Sequence, residues 1–430
     1  MTQVILILLF IVFIAMGVPI SYVIGIVALL GIFLIPNLGG IVVFMKMFTG
    51  LGSFVLLAVP LFILAANLMN HGSISKRLID FSNALVGHRR GGLAHANIVV
   101  SMIFAGVSGS SQADTAGVGK VLIPKMQESG YDNETAVGVT AASSTLGSII
   151  PPSITMVVFA GIANVSTGKL FLVGIVPGII LGLSMMLVVF IISKKRNFPR
   201  YDKVSVKDTV KLFLTSFPAL LTPVIIIGGI VTGAYTATEA AAFACVYALI
   251  IGMFFYRTIK PKDLPKIIKE TLKLSSLSLF ALATANALGE LLGYYNISTR
   301  AANFFAQIPG GAPVFMITVV IFFLFIGTFM DAVPAMILFV PVILPGALAL
   351  GIDPAHLGLV VVMTLALGLV TPPYGLCLLI AGSIANIDIE RSFRGVIPYF
   401  IIAVVVLLCV ALFPNIVMAI PRLISPSYFI

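Results

Sequence analysis

The sequence predicts an all-α polytopic membrane protein built from two inverted repeats, each with about five transmembrane helices and one re-entrant hairpin. Three observations support this prediction. Hydrophobic residues make up 60% of the 430 residues and charged residues only 9%, and the mean hydropathy is +1.18. Apolar runs long enough to span a bilayer recur along the whole chain. Glycine and proline features of the first half recur in the second half.

The composition excludes several classes of protein. A soluble domain of 430 residues needs far more than 9% charged residues to cover its surface. Gly117 to Lys120 resemble part of a phosphate-binding loop, but Val121 follows where a Ser or Thr is required, so we do not expect ATP hydrolysis. The net charge of +10 comes largely from Lys and Arg in short loops. This placement indicates orientation in a membrane and not nucleic-acid binding.

The internal repeat emerges when the chain is shifted by 221 residues against itself. The matched pairs are Gly106 with Gly327, Pro124 with Pro345, Gly147 with Gly368, and Pro151-Pro152 with Pro372-Pro373. Glycine and proline dominate these matches, and both residues fix unusual backbone conformations. Chance similarity between apolar segments would match Leu and Val instead. The sequence therefore predicts two structurally related halves.

Each half contains a pair of short arms around a polar tip and a long segment interrupted by a proline pair. The arms predict a re-entrant hairpin, and the proline pair predicts a broken helix. Repeat 1 is predicted at residues 1–195, with its hairpin at about 92–128 and its broken helix at about 134–163. A basic cytoplasmic linker follows at 196–212. Repeat 2 is predicted at 213–430, with its hairpin at about 313–349 and its broken helix at about 356–385. Five crossings per repeat would invert the second repeat relative to the first.

The distribution of charge supports the inversion independently. The mouth of the first hairpin carries basic residues, namely His88, Arg89, Arg90, Lys120 and Lys125. The second half has no Lys or Arg between Ala301 and Glu390. Because positive charge concentrates in cytoplasmic loops, the first hairpin is expected to open to the cytoplasm and the second to the outside.

Four stretches place non-helical backbone at mid-membrane depth, two at hairpin tips and two at helix breaks. Such backbone is tolerated only where protein or water satisfies its polar groups. Its carbonyl oxygens, together with hydroxyls and one carboxylate per half, suit a hard cation such as Na⁺. The candidate cation-site residues are Ser108, Ser110, Asp114, Gly147, Ile150 and Pro152 in the first half, and Gly327, Asp331, Gly368, Thr371 and Pro373 in the second. Helix N-termini at the same places could face a substrate carboxylate.

Structural interpretations compete with each of these functional ones. A membrane Ser often bonds only to the backbone, and a proline pair can be a simple kink. An intramembrane carboxylate is costly, so Asp114 and Asp331 are functional candidates by default, with Asp331 expected to contact its ion more directly. Thr236 to Glu239 fit a helix capping box, which is a structural role. Glu290 is left without an assignment.

Four motifs resemble the large membrane subunit of tripartite ATP-independent periplasmic (TRAP) transporters. They are the segment from Ser108 to Asp114, the break from Gly147 to Ser153, the turn from Thr236 to Ala242, and the break from Gly368 to Gly375. They occur in the family's order, and the resemblance covers essentially the whole chain. One departure is Thr236-Ala237 in a turn where the family commonly has a proline.

The resemblance implies a Na⁺-coupled importer of organic acids, of the sialic acid or C4-dicarboxylate class, in the bacterial inner membrane. It implies an elevator-type mechanism, in which hairpins and broken helices move against a scaffold. It also implies two protein partners, a small membrane subunit, expected here as a separate chain, and a periplasmic substrate-binding protein.

Other functions remain open at this stage. An ion channel would need an open path, whereas two opposed hairpins favour alternating access. A related inverted-repeat transporter of ions or organic anions would work without a binding protein. An intramembrane aspartyl protease also needs two carboxylates, but neither Asp114 nor Asp331 lies in a Gly-x-Gly-Asp setting. A purely structural membrane subunit is the last alternative.

Overall fold

The computed structural model describes residues 2–35, 39–52, 54–72, 74–196, 198–306 and 309–424. Within these ranges the chain is helical, with short 3-10 and π turns and no strand. The predicted all-α class is therefore confirmed. Many large apolar side chains on the outer helix faces are exposed, including Phe48, Leu183 and Ile321. A bilayer is the solvent that such faces require.

The first half comprises ten described α-helices. They are α1 (Thr2–Ala15), α2 (Ile20–Phe33), α3 (Ile41–Leu51), α4 (Ala58–His71), α5 (Ile74–Val86), α6 (Gly92–Ser108), α7 (Ser111–Glu128), α8 (Asn133–Ser144), α9 (Ile154–Ala163) and α10 (Thr167–Arg196). A 3-10 turn, Phe54–Leu57, precedes α4, and another, Thr145–Ser148, extends α8.

The second half repeats the order of hairpin, broken helix and long helix. Its described helices are α11 (Val206–Val231), α12 (Ala237–Ile250), α13 (Leu264–Tyr294), α14 (Ile297–Ala306), α15 (Gly311–Gly327), α16 (Ala332–Ala349), α17 (Pro354–Gly368), α18 (Leu376–Ala385), α19 (Ile389–Leu412) and α20 (Pro414–Ile424). A π turn, Ile251–Phe255, continues α12.

The two hairpins, α6–α7 and α15–α16, have different tips. At the first tip, Gly109 ends α6 with a φ of +62°, a left-handed conformation that glycine adopts without strain. Ser110 then caps α7 by accepting a hydrogen bond from the backbone N–H of Ala113. At the second tip, Asp331 occupies the N-cap position of α16 in an extended conformation. Gly109 and Ser110 thus form the first turn, whereas the second also contains the apolar residues Phe329 and Met330.

The two helix breaks share their backbone conformation. Each contains a cis proline–proline bond, Pro151-Pro152 in the first half and Pro372-Pro373 in the second. The helix after each break, α9 or α18, ends at a left-handed asparagine, Asn164 or Asn386, each with a φ of +54°. The helical segments before and after each break are short, and the ends that meet at the break are buried or partly buried, whereas the asparagines at the far ends are exposed.

The helices pack as two groups. We use the name scaffold helices for α2–α4 and α11–α13, in which α13 packs against α2, α3 and α4, and α12 packs against α4 and α11. We use the name central helices for α6–α10 and α15–α19, which contain both hairpins and both breaks. The helices α5 and α14 lie against the hairpin helices α6 and α16, respectively.

Glycines allow the two halves to touch within the central helices. Helix α8 packs against α19, and a Cβ atom on Gly395 would overlap the carbonyl oxygen of Glu134. Likewise, a Cβ on Gly138 would overlap the carbonyl oxygen of Gly395. The backbones of these helices are therefore in direct contact, which only glycine permits here.

Several details differ from the sequence-based expectations. The short helices α3, α14 and α20 were not predicted, because each is only 10 or 11 residues long and lacks a span-length apolar run. Helix α11 begins at Val206, inside the predicted linker of residues 196–212. The capping box is confirmed, since Thr236 and Glu239 bond reciprocally at the start of α12.

Seven helices in the described ranges are long and apolar enough to cross a membrane. One of them is α16, a hairpin arm, so helix length alone does not separate crossing from re-entrant segments. The hairpin arms α6 and α15 and three broken-helix segments are shorter apolar helices. The inversion of the second repeat relative to the first stays a prediction.

Candidate functional site

The first candidate cation site lies where the first hairpin tip meets the first helix break. Asp114, in the first turn of α7, is fully buried and accepts a hydrogen bond at Oδ1 from the hydroxyl of Ser108. Its other oxygen, Oδ2, has no hydrogen-bond partner among the described residues. A buried carboxylate oxygen without a partner is energetically costly, and a bound cation would compensate it.

Gly147 forms the wall beside that free oxygen. A Cβ atom on Gly147 would collide with Asp114 Oδ2, so the carboxylate packs directly against the backbone of the break. The same added Cβ would lie 3.0 Å from the backbone carbon of Ser110. The structure therefore brings together four predicted residues, namely Ser108, Ser110, Asp114 and Gly147.

Hydrogen bonds fasten the hairpin tip to the break. The backbone N–H of Ile154 donates to the carbonyl of Gly109 over 3.1 Å, and the Ser111 and Ser148 hydroxyls are 2.7 Å apart. A Cβ on Gly109 would lie only 2.7 Å from the Pro152 carbonyl oxygen, so Pro152 borders the tip. Ile150 faces α10, where its side chain packs against Gly178.

The second candidate cation site is built differently. Asp331 is partly buried, and its Oδ1 accepts a hydrogen bond from Nε2 of Gln112 over 3.0 Å. Gln112 belongs to the first hairpin, so this bond joins the two hairpin tips. The connection is between residues 219 positions apart in the chain. No pattern in the sequence indicated it, and Gln112 was absent from the predicted site.

Backbone contact dominates the rest of the second site. Gly327 and Gly368 are so close that a Cβ on Gly368 would lie 2.7 Å from the Gly327 backbone. The Thr371 hydroxyl, just past the end of α17, lies within hydrogen-bond distance of the carbonyls of Leu367 and Gly368, at 3.1 and 2.9 Å. Pro373 is exposed, and the N–H of Tyr374, the next residue, donates to Thr328 in the hairpin tip. No described contact links Asp331 to Thr371.

A cavity of about 410 Å³ lies between the two hairpin tips. The first residues of four helices line it, namely Ser111 of α7, Ile154 of α9, Ala332 of α16 and Leu376 of α18. Each helix N-terminus carries partial positive charge, so four together form a favourable environment for an anion. Asp331 is the carboxylate among the lining residues.

The scaffold helices form the opposite wall of this cavity. Helix α4 contributes Ala66 and Asn67, and α13 contributes Leu274 and Ser278. Asn67 is itself held by α13, because its Nδ2 donates to the Thr271 hydroxyl over 2.9 Å. The sequence analysis missed these wall residues, since a single Asn or Ser in an apolar helix carries no distinctive signal.

Glu290, unassigned from the sequence, has a partner in the structure. Its carboxylate pairs with Lys46 of α3 at 2.8 Å, and both side chains are about two-fifths exposed. The pair lines a second cavity, of about 430 Å³, between the scaffold helices and the central helices α9 and α16. This ion pair is separate from both candidate cation sites.

The chain is similar in sequence to one family of membrane proteins. Residues 7–416 match the family model described as "Tripartite ATP-independent periplasmic transporter, DctM component". The sialic acid TRAP transporter large permease protein SiaM of Vibrio cholerae is 35% identical over 407 residues, covering 95% of each chain. The C4-dicarboxylate TRAP transporter large permease protein DctM of Pseudomonas aeruginosa is 37% identical, covering 89% of this chain and 90% of the relative.

Two solved structures share the fold at low sequence identity. The YdaH transporter of Alcanivorax borkumensis superposes with a TM-score of 0.64 at 13% identity, over 86% of this chain and 88% of that one. MtrF of Neisseria gonorrhoeae gives a TM-score of 0.59 at 13% identity, over 86% and 84% of the two chains. These similarities establish a shared helical architecture.

Proposed function

The chain belongs to the DctM family of TRAP transporter large permeases, and from that premise we propose that it is the translocating subunit of a Na⁺-coupled importer of organic acids. It is a multi-pass protein of the bacterial inner membrane and a transporter component, not an enzyme. The observation that supports the proposal most is the cavity lined by four helix N-termini and the Asp331 carboxylate, with Asp114 bonded to the lining residue Ser108. It combines a favourable anion site with candidate cation ligands.

The substrate class follows from the chemistry of the cavity. Helix N-termini bind carboxylates through backbone N–H groups, and the hydroxyls of Ser111 and Thr155 can donate to the same group. The relatives named above are described as transporters of sialic acid and C4-dicarboxylates, and both are carboxylates. We therefore assign the cavity to an organic acid of this class.

Na⁺ coupling rests on the oxygen chemistry of the two candidate sites. Asp114 presents a buried oxygen without a partner, next to hydroxyls and the turn at Gly147. A desolvated carboxylate and neutral oxygens are suitable ligands for a hard monovalent ion. A Na⁺ beside Asp331 would offset the repulsion between that carboxylate and an anionic substrate in the same cavity.

The partners follow from the family. We propose a separate small membrane subunit and a periplasmic substrate-binding protein. Proteoliposomes that contain the chain and both partners should take up substrate only with a Na⁺ gradient. Replacing Na⁺ by K⁺ on both sides should abolish uptake, and full uptake driven by protons in K⁺ would refute Na⁺ coupling. Uptake that persists without the binding protein would favour the alternative, a transporter that works alone.

The proposed mechanism is of the elevator type, in which the central helices move against the scaffold helices. Gly161 of α9 touches Leu56, which precedes α4. A Cβ on Gly161 would lie 3.6 Å from Leu56 Cγ, and the sulfur of a cysteine at position 56 would occupy about the position of that Cγ. In a cysteine-free background, oxidising the pair Leu56→Cys/Gly161→Cys should arrest transport, and reduction should restore it.

A matched pair within the scaffold helices provides the control. A Cβ on Gly25 would lie 3.6 Å from the Cβ of Thr284, which is within the range for a disulfide. Oxidising Gly25→Cys/Thr284→Cys should leave transport unchanged, because both residues belong to the scaffold. Normal transport with the Leu56–Gly161 crosslink formed would exclude relative movement at that interface.

A further inference from the structure

A smaller cavity, of about 210 Å³, lies away from the transport site, between the start of α8, the end of α10 and the start of α19. The residues that matter for its chemistry are Glu134, Thr135, Lys195, Arg196, Arg394 and Tyr399. All three helix ends are on the side that the basic residues predict to be cytoplasmic. Nothing in the transport mechanism uses this cavity.

Two of the cations near the cavity are already paired. Arg196 binds Asp132 at 2.6 Å, and Arg391 binds Glu134 at 3.2 Å. Partial burial alone would raise the pKa of the Asp132 carboxyl, but hydrogen bonds from Thr135 and Arg196, together with the charge of Arg196, bring it below the usual value. Asp132 is therefore an anion committed to Arg196.

The other two cations have no acidic partner. Lys195 and Arg394 are both exposed at the cavity rim, and neither forms a salt bridge with any described residue. The cavity thus presents two uncompensated positive charges from neighbouring helices, since α10 packs against α19. An anion with several oxygens would satisfy both.

A buried hydroxyl points to the same kind of ligand. Tyr399 is only 1% exposed, and its hydroxyl lacks a hydrogen-bond partner among the described residues although the residue lines the cavity. Leaving a buried hydroxyl unpaired is unfavourable, so an acceptor oxygen inside the cavity would be stabilised there. This observation is independent of the surface charge.

The surface next to the cavity is apolar. On α10, Ile191 and Leu187 precede Lys195 at intervals of four residues and are 48% and 55% exposed. On α19, Ile397 and Ile401 follow Arg394 on one helix face and are 39% and 59% exposed. Each unpaired cation therefore stands at the end of an apolar stripe that faces outward.

We propose that this cavity binds the phosphate headgroup of an anionic phospholipid from the cytoplasmic leaflet. The phosphate contacts Lys195, Arg394 and the Tyr399 hydroxyl, and the acyl chains lie along the apolar stripes of α10 and α19. Basic pockets between transmembrane helices on the cytoplasmic side are suited to such headgroups. A free phosphate ion shares the headgroup chemistry but makes no use of the stripes. The bound lipid joins α10 of the first half to α19 of the second.

The test measures lipid binding to the purified full-length chain in detergent by native mass spectrometry. Phosphatidylglycerol is the probe, phosphatidylcholine the neutral control lipid, and inorganic phosphate the competing ion. The wild type should bind phosphatidylglycerol in preference to phosphatidylcholine. Lys195→Gln/Arg394→Gln should weaken phosphatidylglycerol binding by about tenfold or more, since each cation near an anionic headgroup contributes about 1 kcal/mol.

Two further variants make the result specific. Lys262→Gln/Lys266→Gln removes the same charge from exposed lysines before and at the start of α13, and it should change binding by less than about twofold. Tyr399→Phe removes only the hydroxyl and should weaken phosphatidylglycerol binding by about threefold or more.

Three outcomes would overturn the proposal. One is an equal loss of binding in the Lys262/Lys266 control, which would indicate a general charge effect. Another is unchanged binding in Lys195→Gln/Arg394→Gln. The third is displacement of the lipid by millimolar inorganic phosphate together with no preference over phosphatidylcholine, which would identify a site for the free ion.

Discussion

The two hairpin tips occupy equivalent positions in the repeats but place their carboxylates in different surroundings. Asp114 is enclosed, with one hydroxyl donor from its own hairpin and one unpaired oxygen. Asp331 borders the central cavity and takes its donor, Gln112, from the opposite hairpin. From this comparison we propose that the first site holds an ion by itself, and that the second site depends on the relative position of both hairpins and on the substrate.

The largest difference is expected from removing each carboxylate charge. Asp114→Asn should raise the Na⁺ concentration for half-maximal uptake by at least about 100-fold, because losing one partner of a buried charge pair costs about 3–5 kcal/mol. Asp331→Asn should raise it by only about tenfold, since the cavity remains partly solvated and Gln112 still has an acceptor. Uptake against Na⁺ concentration, normalised to the amount of protein in the membrane, measures both.

The larger effect expected for Asp114→Asn than for Asp331→Asn reverses the expectation from the sequence, which favoured Asp331 as the more direct ion ligand. The reversal rests on the full burial and the unpaired oxygen of Asp114. A wild-type Na⁺ dependence for Asp114→Asn would make that residue purely structural. A larger effect for Asp331→Asn would mean that the first site is not the principal ion site.

The glycines facing the two tips provide the next comparison. In Gly147→Ala the added methyl meets mainly the Asp114 carboxylate, which can rotate away, and lies 3.0 Å from the Ser110 backbone carbon, a milder overlap. The protein should therefore assemble but bind Na⁺ about tenfold more weakly. In Gly368→Ala the methyl meets the Gly327 backbone, which cannot yield cheaply. That variant should lose about 1–3 kcal/mol of stability. Thermal unfolding in detergent and Na⁺ titration together separate the two effects.

The opposite pattern would contradict the assignment of these glycines. A destabilised Gly147→Ala with normal Na⁺ affinity would show that the first tip is a packing contact. A stable Gly368→Ala that loses Na⁺ affinity would place an ion between Gly327 and Gly368.

The bond between the hairpins can be removed alone with Gln112→Leu. Because the hydrogen bond to Asp331 involves a charged acceptor, losing it should raise the substrate concentration for half-maximal uptake by about tenfold. The Na⁺ affinity of the first site should stay within about twofold of the wild type. Gln112→Glu is the companion variant, and its added charge beside Asp331 should impair uptake further. Equal effects on Na⁺ and substrate would mean that the two sites are not separable.

The smallest effects are expected from the hydroxyls. Ser108→Ala removes the donor to Asp114 and should raise the half-maximal Na⁺ concentration by about threefold. Thr371→Ala should change it by less than about twofold, because the Thr371 hydroxyl already lies within hydrogen-bond distance of two carbonyls at the end of α17. Thr364→Ala, which removes a similar bond within α17, is the matched control. A steep loss in Thr371→Ala alone would restore Thr371 as an ion ligand.

Local chemistry explains how much the sequence could predict. The helix ends around the first tip and at the Pro151-Pro152 break lie close to those expected from the sequence, because Gly, Pro and Ser act on the backbone within a few positions. The proximity of Asp114 to Gly147 followed from expecting each tip to meet its own break. The bond from Gln112 to Asp331 and the pair of Lys46 with Glu290 were not predictable, since they depend on packing between distant segments. Short helices such as α14 were missed because their length gives no periodic signal.

The glycine contact between α8 and α19 has a consequence for how the chain is made. Helix α8 is buried and contains Thr140, Ser143 and Ser144, but its partner residue Gly395 is synthesised 257 residues after Gly138. At roughly 5–20 residues per second, the ribosome needs about 13–50 s to reach it. During that interval Thr140 and Ser143 already have hydrogen-bond partners on α6, which is made earlier, but the glycine face of α8 lacks α19. That face stays without its partner until the last tenth of the protein emerges.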